Sequence, residues 1–418
     1  MEIVRKIRLS KDIYIMNQKH RFSDLNVIEK VVELSDKWIE TSYLRVSAKK
    51  KYQQLVKHIA VISENEIQNI VDMNIEKDED DEIDIEYTIM SIILGKCNVK
   101  DLSFSKNVLE KIKNVFDQEL IKLEEQEMKY IYDCILTLSF IPNIIDSNVK
   151  ISNQLKQNIV RNKQVVSTLY NVPMTKLNKI SLPNYENYVI HQCNSVAYIS
   201  PISNRLEMEF SRARDFIIEN IENASYLFVS PIIANRDIAK LINIYELEKT
   251  YLNISQYDLG LITDPSLILL LLMRDTHFTD KCIYTTTTSF TKPPHSSTQL
   301  AFVYFVDKDK SCEVFEDICD IVEKFYTEMG CHWTSEYVVS GCMTYDSSNE
   351  CTLYGITPLQ RHRVSLATIR NTTDYHTSRL NITNEKGDHK HAICVNFMDS
   401  DMLYSFMVDF NYIENDFK

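Results

Sequence analysis

Glycine is scarce in this chain: six residues in 418, at Gly95, Gly260, Gly330, Gly341, Gly355 and Gly387. Loops that cradle phosphate need glycines a few residues apart, so that consecutive backbone N–H groups can turn toward one anion. The closest pair, Gly330 and Gly341, is eleven residues apart, which excludes Walker-type, dinucleotide-type and kinase-type loops. No serine stands in a G-x-S-x-G elbow, and H-E-x-x-H, C-x-x-C and the EF-hand loop are absent. Long apolar runs are lacking too. The longest, Leu267 to Met273, is seven residues and ends at Arg274, too short for the roughly 30 Å of a bilayer core; it reads as a buried helical segment. The first residues have no continuous apolar stretch and no small-residue cleavage site, so no secretory signal is expected. The ten cysteines are then expected to be mostly reduced and buried, and the sequons at Asn223, Asn253, Asn371 and Asn381 idle. Positive charge is also short. Lys and Arg number 46 against 59 Asp and Glu, a net charge of −13, the wrong sign for a protein that neutralises phosphate.

What is present is enough for a core: 44% hydrophobic and 10% aromatic residues. The charge is uneven. Met1 to Ala60 holds 13 Lys and Arg against 7 Asp and Glu, whereas Val61 to Lys150 holds 9 against 20. Such asymmetry can steer one molecule's basic end onto another's acidic segment, although solvated helix faces give the same pattern. Val27, Val31, Leu34, Trp38 and Ile39 recur at helical spacing, as do Leu109, Ile112, Phe116, Leu120 and Leu123. The first proline is Pro142, which suits long helices. IRLSKDIYI reads as a strand or an arm, the acidic run Glu76 to Glu86 as a solvated loop, and Leu155 to Tyr170 as a helix.

From about residue 183 the texture turns to strands: NYVIHQCNSVAYISP, SYLFVSP, IYTTTTSF, QLAFVYFV, EYVVSGCMTY, VSLATIR, HAICVNF and LYSFMVDF. Helices are expected over Leu206 to Ile221 and from a cap at Ser311 to Gly330. The predicted class is α+β: a mainly helical region over residues 1–175, then an α+β region over 176–418 whose mixed sheet is largely antiparallel.

Chemical candidates are few. His389, His391 and Cys394 form the tightest cluster, with a fourth ligand available from Cys331, His332, Cys342 or Cys351. A loop-to-strand turn with Cys394 as a small core residue explains the same pattern, so no metal and no cofactor are expected. Cys312 and Cys319, two helical turns apart, read as core thiols. Cys331–His332 is a poor nucleophile–base pair, because adjacent side chains diverge. Arg361, His362, Arg363 and Arg370 form either a salt-bridged sheet edge or an anion site. No catalytic residue is assigned.

Abundant Ile, Asn, Lys and Tyr resemble the composition of A+T-rich genomes such as those of large DNA viruses. With the missing motifs and the separated charges, this leads to the expectation of a non-enzymatic viral structural protein. The specific form expected is an occlusion-body (polyhedrin-type) crystal matrix that packages virions and dissolves at alkaline pH. Its partners would be copies of itself and virions, with neither nucleic acid nor membrane, in the cytoplasm or nucleus of an infected cell. The alternative expectation is an intracellular enzyme or host-interaction factor with a site in the C-terminal α+β region.

Overall fold

The structure, a computed structural model, describes residues 2–69, 85–99, 106–165, 211–217, 219–221, 264–290, 296–356 and 363–397, with six short strand segments between 191 and 262. The acidic run before Ile85, the expected boundary near 175 and the last expected strand, LYSFMVDF, lie outside these residues. The chain divides into two compact units, residues 1–9 with 26–138, and residues 10–25 with 139–418.

The first unit is helical: α1 (Glu2–Leu9), α3 (Asn26–Asn69), α4 (Ile85–Ile93) and α5 (Lys106–Leu138). At 44 residues α3 is roughly 65 Å long. A helix that long is held by packing, since propensity alone is marginal. Ala48, Leu55 and Ile59 meet Leu109, Ile112 and Phe116 of α5, and Ile89, Ile92 and Ile93 of α4 close the same core. Tyr52 and Phe116 meet edge to face, ring centroids 5.7 Å apart. The stretch expected as a strand or arm is instead α1 followed by α2 (Lys11–His20), which belongs to the second unit. There Asn17 Nδ2 donates to the carbonyl of Asn143 at 3.1 Å, and Arg21 donates to the carbonyls of Asn143, Thr344 and Ser347. These bonds give α2 a tertiary anchor that no local pattern announces.

The second unit is α+β, as expected. Its main sheet joins eight strands in the order β1 (Ile159–Gln164), β10 (Trp333–Tyr337), β11 (Asn349–Ile356), β12 (Arg363–Thr373), β13 (His391–Phe397), β9 (Ser296–Val306), β8 (Lys281–Phe290) and β4 (Ala224–Tyr226). All neighbours are antiparallel except β4 and β8. A hairpin, β2 (His191–Cys193) with β3 (Val196–Tyr198), and a small sheet of β5 (Ile233–Asn235), β6 (Tyr251–Ile254) and β7 (Leu259–Ile262) accompany it. As far as residue 165, where the described residues end, the helix expected over Leu155 to Tyr170 is instead a short 3₁₀ turn and then β1, because the open edge of β10 takes Ile159 and Val160 into its ladder. The expected strand EYVVSGCMTY stops at Tyr337, and its remainder forms the loop into β11.

One sheet face carries the main core. Helix α7 (Ser311–Glu328) lays Phe315, Ile318, Cys319, Val322 and Phe325 on it. Ser311 begins this helix without capping it; its hydroxyl bonds Asn371 Oδ1 at 3.2 Å. Gly330 closes it with a φ of 73°. The opposite face is covered in part by α6 (Pro265–Leu272), the apolar run noted in the sequence, which packs on Ile283, Val303, Phe305, Ala392 and Cys394. Among the described residues no helix is long and apolar enough to cross a membrane.

Candidate functional site on the sheet

Strand alternation sends every second side chain to the α6 face. Beneath α6 that face is apolar. Beyond the start of α6 it turns polar: Thr285 and Thr287 on β8, Gln299 on β9, Asn396 on β13, Thr368 and Arg370 on β12, Glu350, Thr352 and Tyr354 on β11, and Glu336 on β10. Among the described residues four side-chain atoms here are buried without a hydrogen-bond partner: Thr285 Oγ1, Thr287 Oγ1, Asn396 Oδ1 and Arg370 Nε. A buried polar atom without a partner costs about 1–3 kcal/mol, so this patch of hydroxyl and amide groups is the part of the sheet suited to a ligand.

Its wall is a closed ionic network. Asp264 caps α6, its Oδ1 accepting from Ser266 N at 2.9 Å and from Asn396 Nδ2 at 3.0 Å. Its Oδ2 accepts from Arg370 Nη2 at 2.9 Å. Arg370 also reaches Ser266 Oγ at 2.7 Å and Asp346 Oδ2 at 3.2 Å, and Asp346 accepts from His376 Nε2 at 2.8 Å. Asp346 and His376 are fully buried. Burial works against the charge on Arg370, but Asp346 and Asp264 outweigh it and hold the guanidinium ionised. Burial also opposes Asp346, yet Arg370 and then His376 keep its carboxyl well below the usual range. Burial lowers His376 despite Asp346, so a neutral imidazole donates Nε2–H to the carboxylate. Burial raises Glu350.

Arg363 and Arg370 are seven apart, which on a regular strand puts them on opposite faces. The register of β12 against β11 slips between Leu353 and Tyr354, where Leu366 is an extra residue. This bulge returns both arginines to one face. Gly355 makes it possible, because a Cβ there would sit 2.9 Å from both Cδ atoms of Leu366. Of the basic string read from the sequence, Arg370 thus belongs to the buried network, Arg363 lies exposed at the strand start, and Arg361 and His362 fall outside the described residues.

The remaining sequence candidates are not brought together. Cys394 packs under α6, while His391, three residues before it, projects to the other face, and His389 precedes the strand. Among the described residues no group of three or more His, Cys, Asp or Glu side chains could hold a metal ion. Cys319 is buried and Cys312 exposed; Cys331 and His332 are both buried. Nine described cysteines are free thiols.

No family model matches the chain, and no curated protein does. Solved structures do. The cytoplasmic serine-tRNA ligase of Naegleria fowleri, in complex with AMP, superposes with a TM-score of 0.64 at 17% identity, over 95% of this chain and 90% of that one. The seryl-tRNA synthetase of Pyrococcus horikoshii, complexed with ATP, gives 0.63 at 13% identity, over 97% and 93%. At such identities the likeness is one of fold. It overturns the expectation of a non-enzymatic viral structural protein and polyhedrin-type matrix, and with it the self-assembling partner set without nucleic acid. The error has a physical source. Missing glycine loops exclude sites built from one local segment, whereas this sheet gathers single residues from many strands.

Proposed function

We propose that this chain is an ATP-dependent ligase of the aminoacyl-tRNA synthetase type, working inside the cell, with the polar sheet face as its small-substrate site and α3 as its RNA contact. The reading rests on the fold likeness, which runs through both the helical unit and the sheet. Charge supports the RNA contact. Between Glu40 and Glu64 α3 has no acidic residue but carries Arg45, Lys49, Lys50, Lys51 and Lys57. Lys49, Lys50 and Lys57 are exposed, beside Tyr43 and Val46, which are also exposed. A basic stretch of a long helix with no acid of its own matches a phosphate backbone despite the overall −13. The test is amino-acid-dependent exchange between ATP and pyrophosphate, run with each amino acid. Exchange with serine is expected; no exchange with any amino acid sinks the ligase reading.

A second reading, RNA binding without ligation, is favoured by one observation. Among the described residues the polar face carries four acidic side chains, Asp264, Glu336, Asp346 and Glu350, against Arg363 and Arg370, and Arg370 is already bound on both sides. A triphosphate finds little free cation among the described residues there. Retained tRNA binding without pyrophosphate exchange identifies this case.

A further inference from the structure

The far end of the polar face holds an arrangement that the ionic network does not explain. Arg363 leaves the first position of β12, crosses the neighbouring strand, and reaches Glu336 Oε2 on β10 at 2.6 Å. On the way its guanidinium lies over the ring of Tyr354, its central carbon 3.6 Å from the ring centroid. Glu336 is itself held, by Asn158 Nδ2 at 3.3 Å, and its side chain is 12% exposed. The arginine side chain is 51% exposed. An exposed arginine is ordinarily mobile, since ordering its side chain costs up to about 2 kcal/mol of entropy. Here both its position and its plane are fixed, with one flat face on tyrosine, while about half of the side chain stays exposed among the described residues.

We propose that Arg363, on Tyr354 and pinned by Glu336, is a stacking platform for a nucleobase, presented by an unpaired RNA end or by a free nucleotide. The proposal rests on the reading of this chain as a protein that handles RNA and nucleotides, and it adds a site to that reading. Bases stack on arginine planes and on aromatic rings. The ion pair decides between base and phosphate. A phosphate has to compete with Glu336 for the N–H edges of the guanidinium, whereas the π-face of a base needs only the flat face that Glu336 leaves free.

The experiment uses the full chain and two probes that report stacking by fluorescence quenching: a single-stranded RNA ending in 2-aminopurine, and 2-aminopurine riboside triphosphate. The native chain is expected to quench at least one probe, which tells the two sources apart. Arg363→Ala and Tyr354→Leu should weaken binding of that probe roughly 5- to 100-fold, the range of one base stack. Arg363→Lys, which keeps the charge and loses the plane, should weaken it comparably. With the RNA probe, the slope of log Kd against log salt should stay unchanged, because no phosphate contact is lost. Tyr354→Phe should bind as the native chain and serves as the control for folding. Absence of quenching by the native chain overturns the proposal. So does an Arg363→Lys variant that binds normally, or a slope that falls by about one, which marks a phosphate contact. Failure of the ligase reading shows separately, in pyrophosphate exchange and in tRNA binding, neither of which uses this quench.

Discussion

Arg370 carries its charge with a side chain 5% exposed, between Asp264 and Asp346. Removing one partner of such a buried pair strands the other, typically at 3–5 kcal/mol. Arg370→Met is therefore expected to lose roughly that much stability, read from urea unfolding, and Arg370→Met combined with Asp346→Asn should recover part of it. His376 adds a pH dependence. It faces Asp346, Arg370, Arg379 and the Tyr375 ring, and burial lowers its pKa. An unfolded histidine takes up a proton near 6.5, whereas this one stays neutral to lower pH. The unfolded state then binds more protons, so stability present above about pH 6.5 is lost as pH falls toward the folded value. His332 is lowered by burial in the same direction. The check is the fall in urea midpoint between pH 7 and pH 5.5, which should be smaller in His376→Gln than in the native chain. An equal fall in both removes His376 from the account. None of this was legible in the sequence. Arg370 read as one of a basic string, because a bulge at Leu366 and an aspartate a hundred residues away are invisible to periodicity.

Among the elements, α3, α5 and α7 follow from apolar spacing, since a helix needs only its own 3.6-residue period to be recognised, and α6 from a short continuous apolar run. Strand β1 and the split of the first twenty residues into α1 and α2 do not, because pairing to β10 and the carbonyls taken by Arg21 decide them. The basic stretch of α3 was visible as charge, but which charges remain free is a packing result. Arg45 pairs with Glu124 and Glu127 of α5, and Lys51 donates to the carbonyls of Ile92 and Ile93 at the end of α4. Lys50 and Lys57, two turns apart on one exposed face, are left as candidates for phosphate. Lys50→Glu with Lys57→Glu is expected to weaken tRNA binding at least tenfold and to lower the salt slope by about two, one for each phosphate contact. Filter binding at several salt concentrations measures both, with circular dichroism confirming the helix. Unchanged affinity would place the RNA contact elsewhere.

At the scale of the whole molecule, the helical block followed by an α+β region was readable from composition, and the fold it makes was not, since strand order joins residues as distant as Ile159 and Tyr337. The two units have separate cores, one around Leu55 and Phe116 and the other around Phe302 and Val322. Cores that share no buried residue need not melt together, and multidomain chains commonly depart from two-state unfolding. Two transitions in urea are therefore expected, and free cysteines mark them: Cys134 is buried in the first unit, and Cys282 and Cys351 in the second. Thiol labelling at rising urea, with peptide mapping, should expose Cys134 at one midpoint and Cys282 with Cys351 together at another. Ligands then assign functions to units. A ligand that binds only the folded form stabilises it by RT ln(1 + [L]/Kd), about 2.7 kcal/mol at a hundredfold excess over Kd. If α3 is the RNA contact, tRNA should raise the Cys134 midpoint. If the polar sheet face takes the nucleotide and amino acid, ATP with serine should raise the midpoint shared by Cys282 and Cys351 and leave that of Cys134 in place. A single coincident transition for all three thiols refutes the separation of the units. A shift by tRNA without any shift by ATP and serine leaves RNA binding without ligation as the chain's activity.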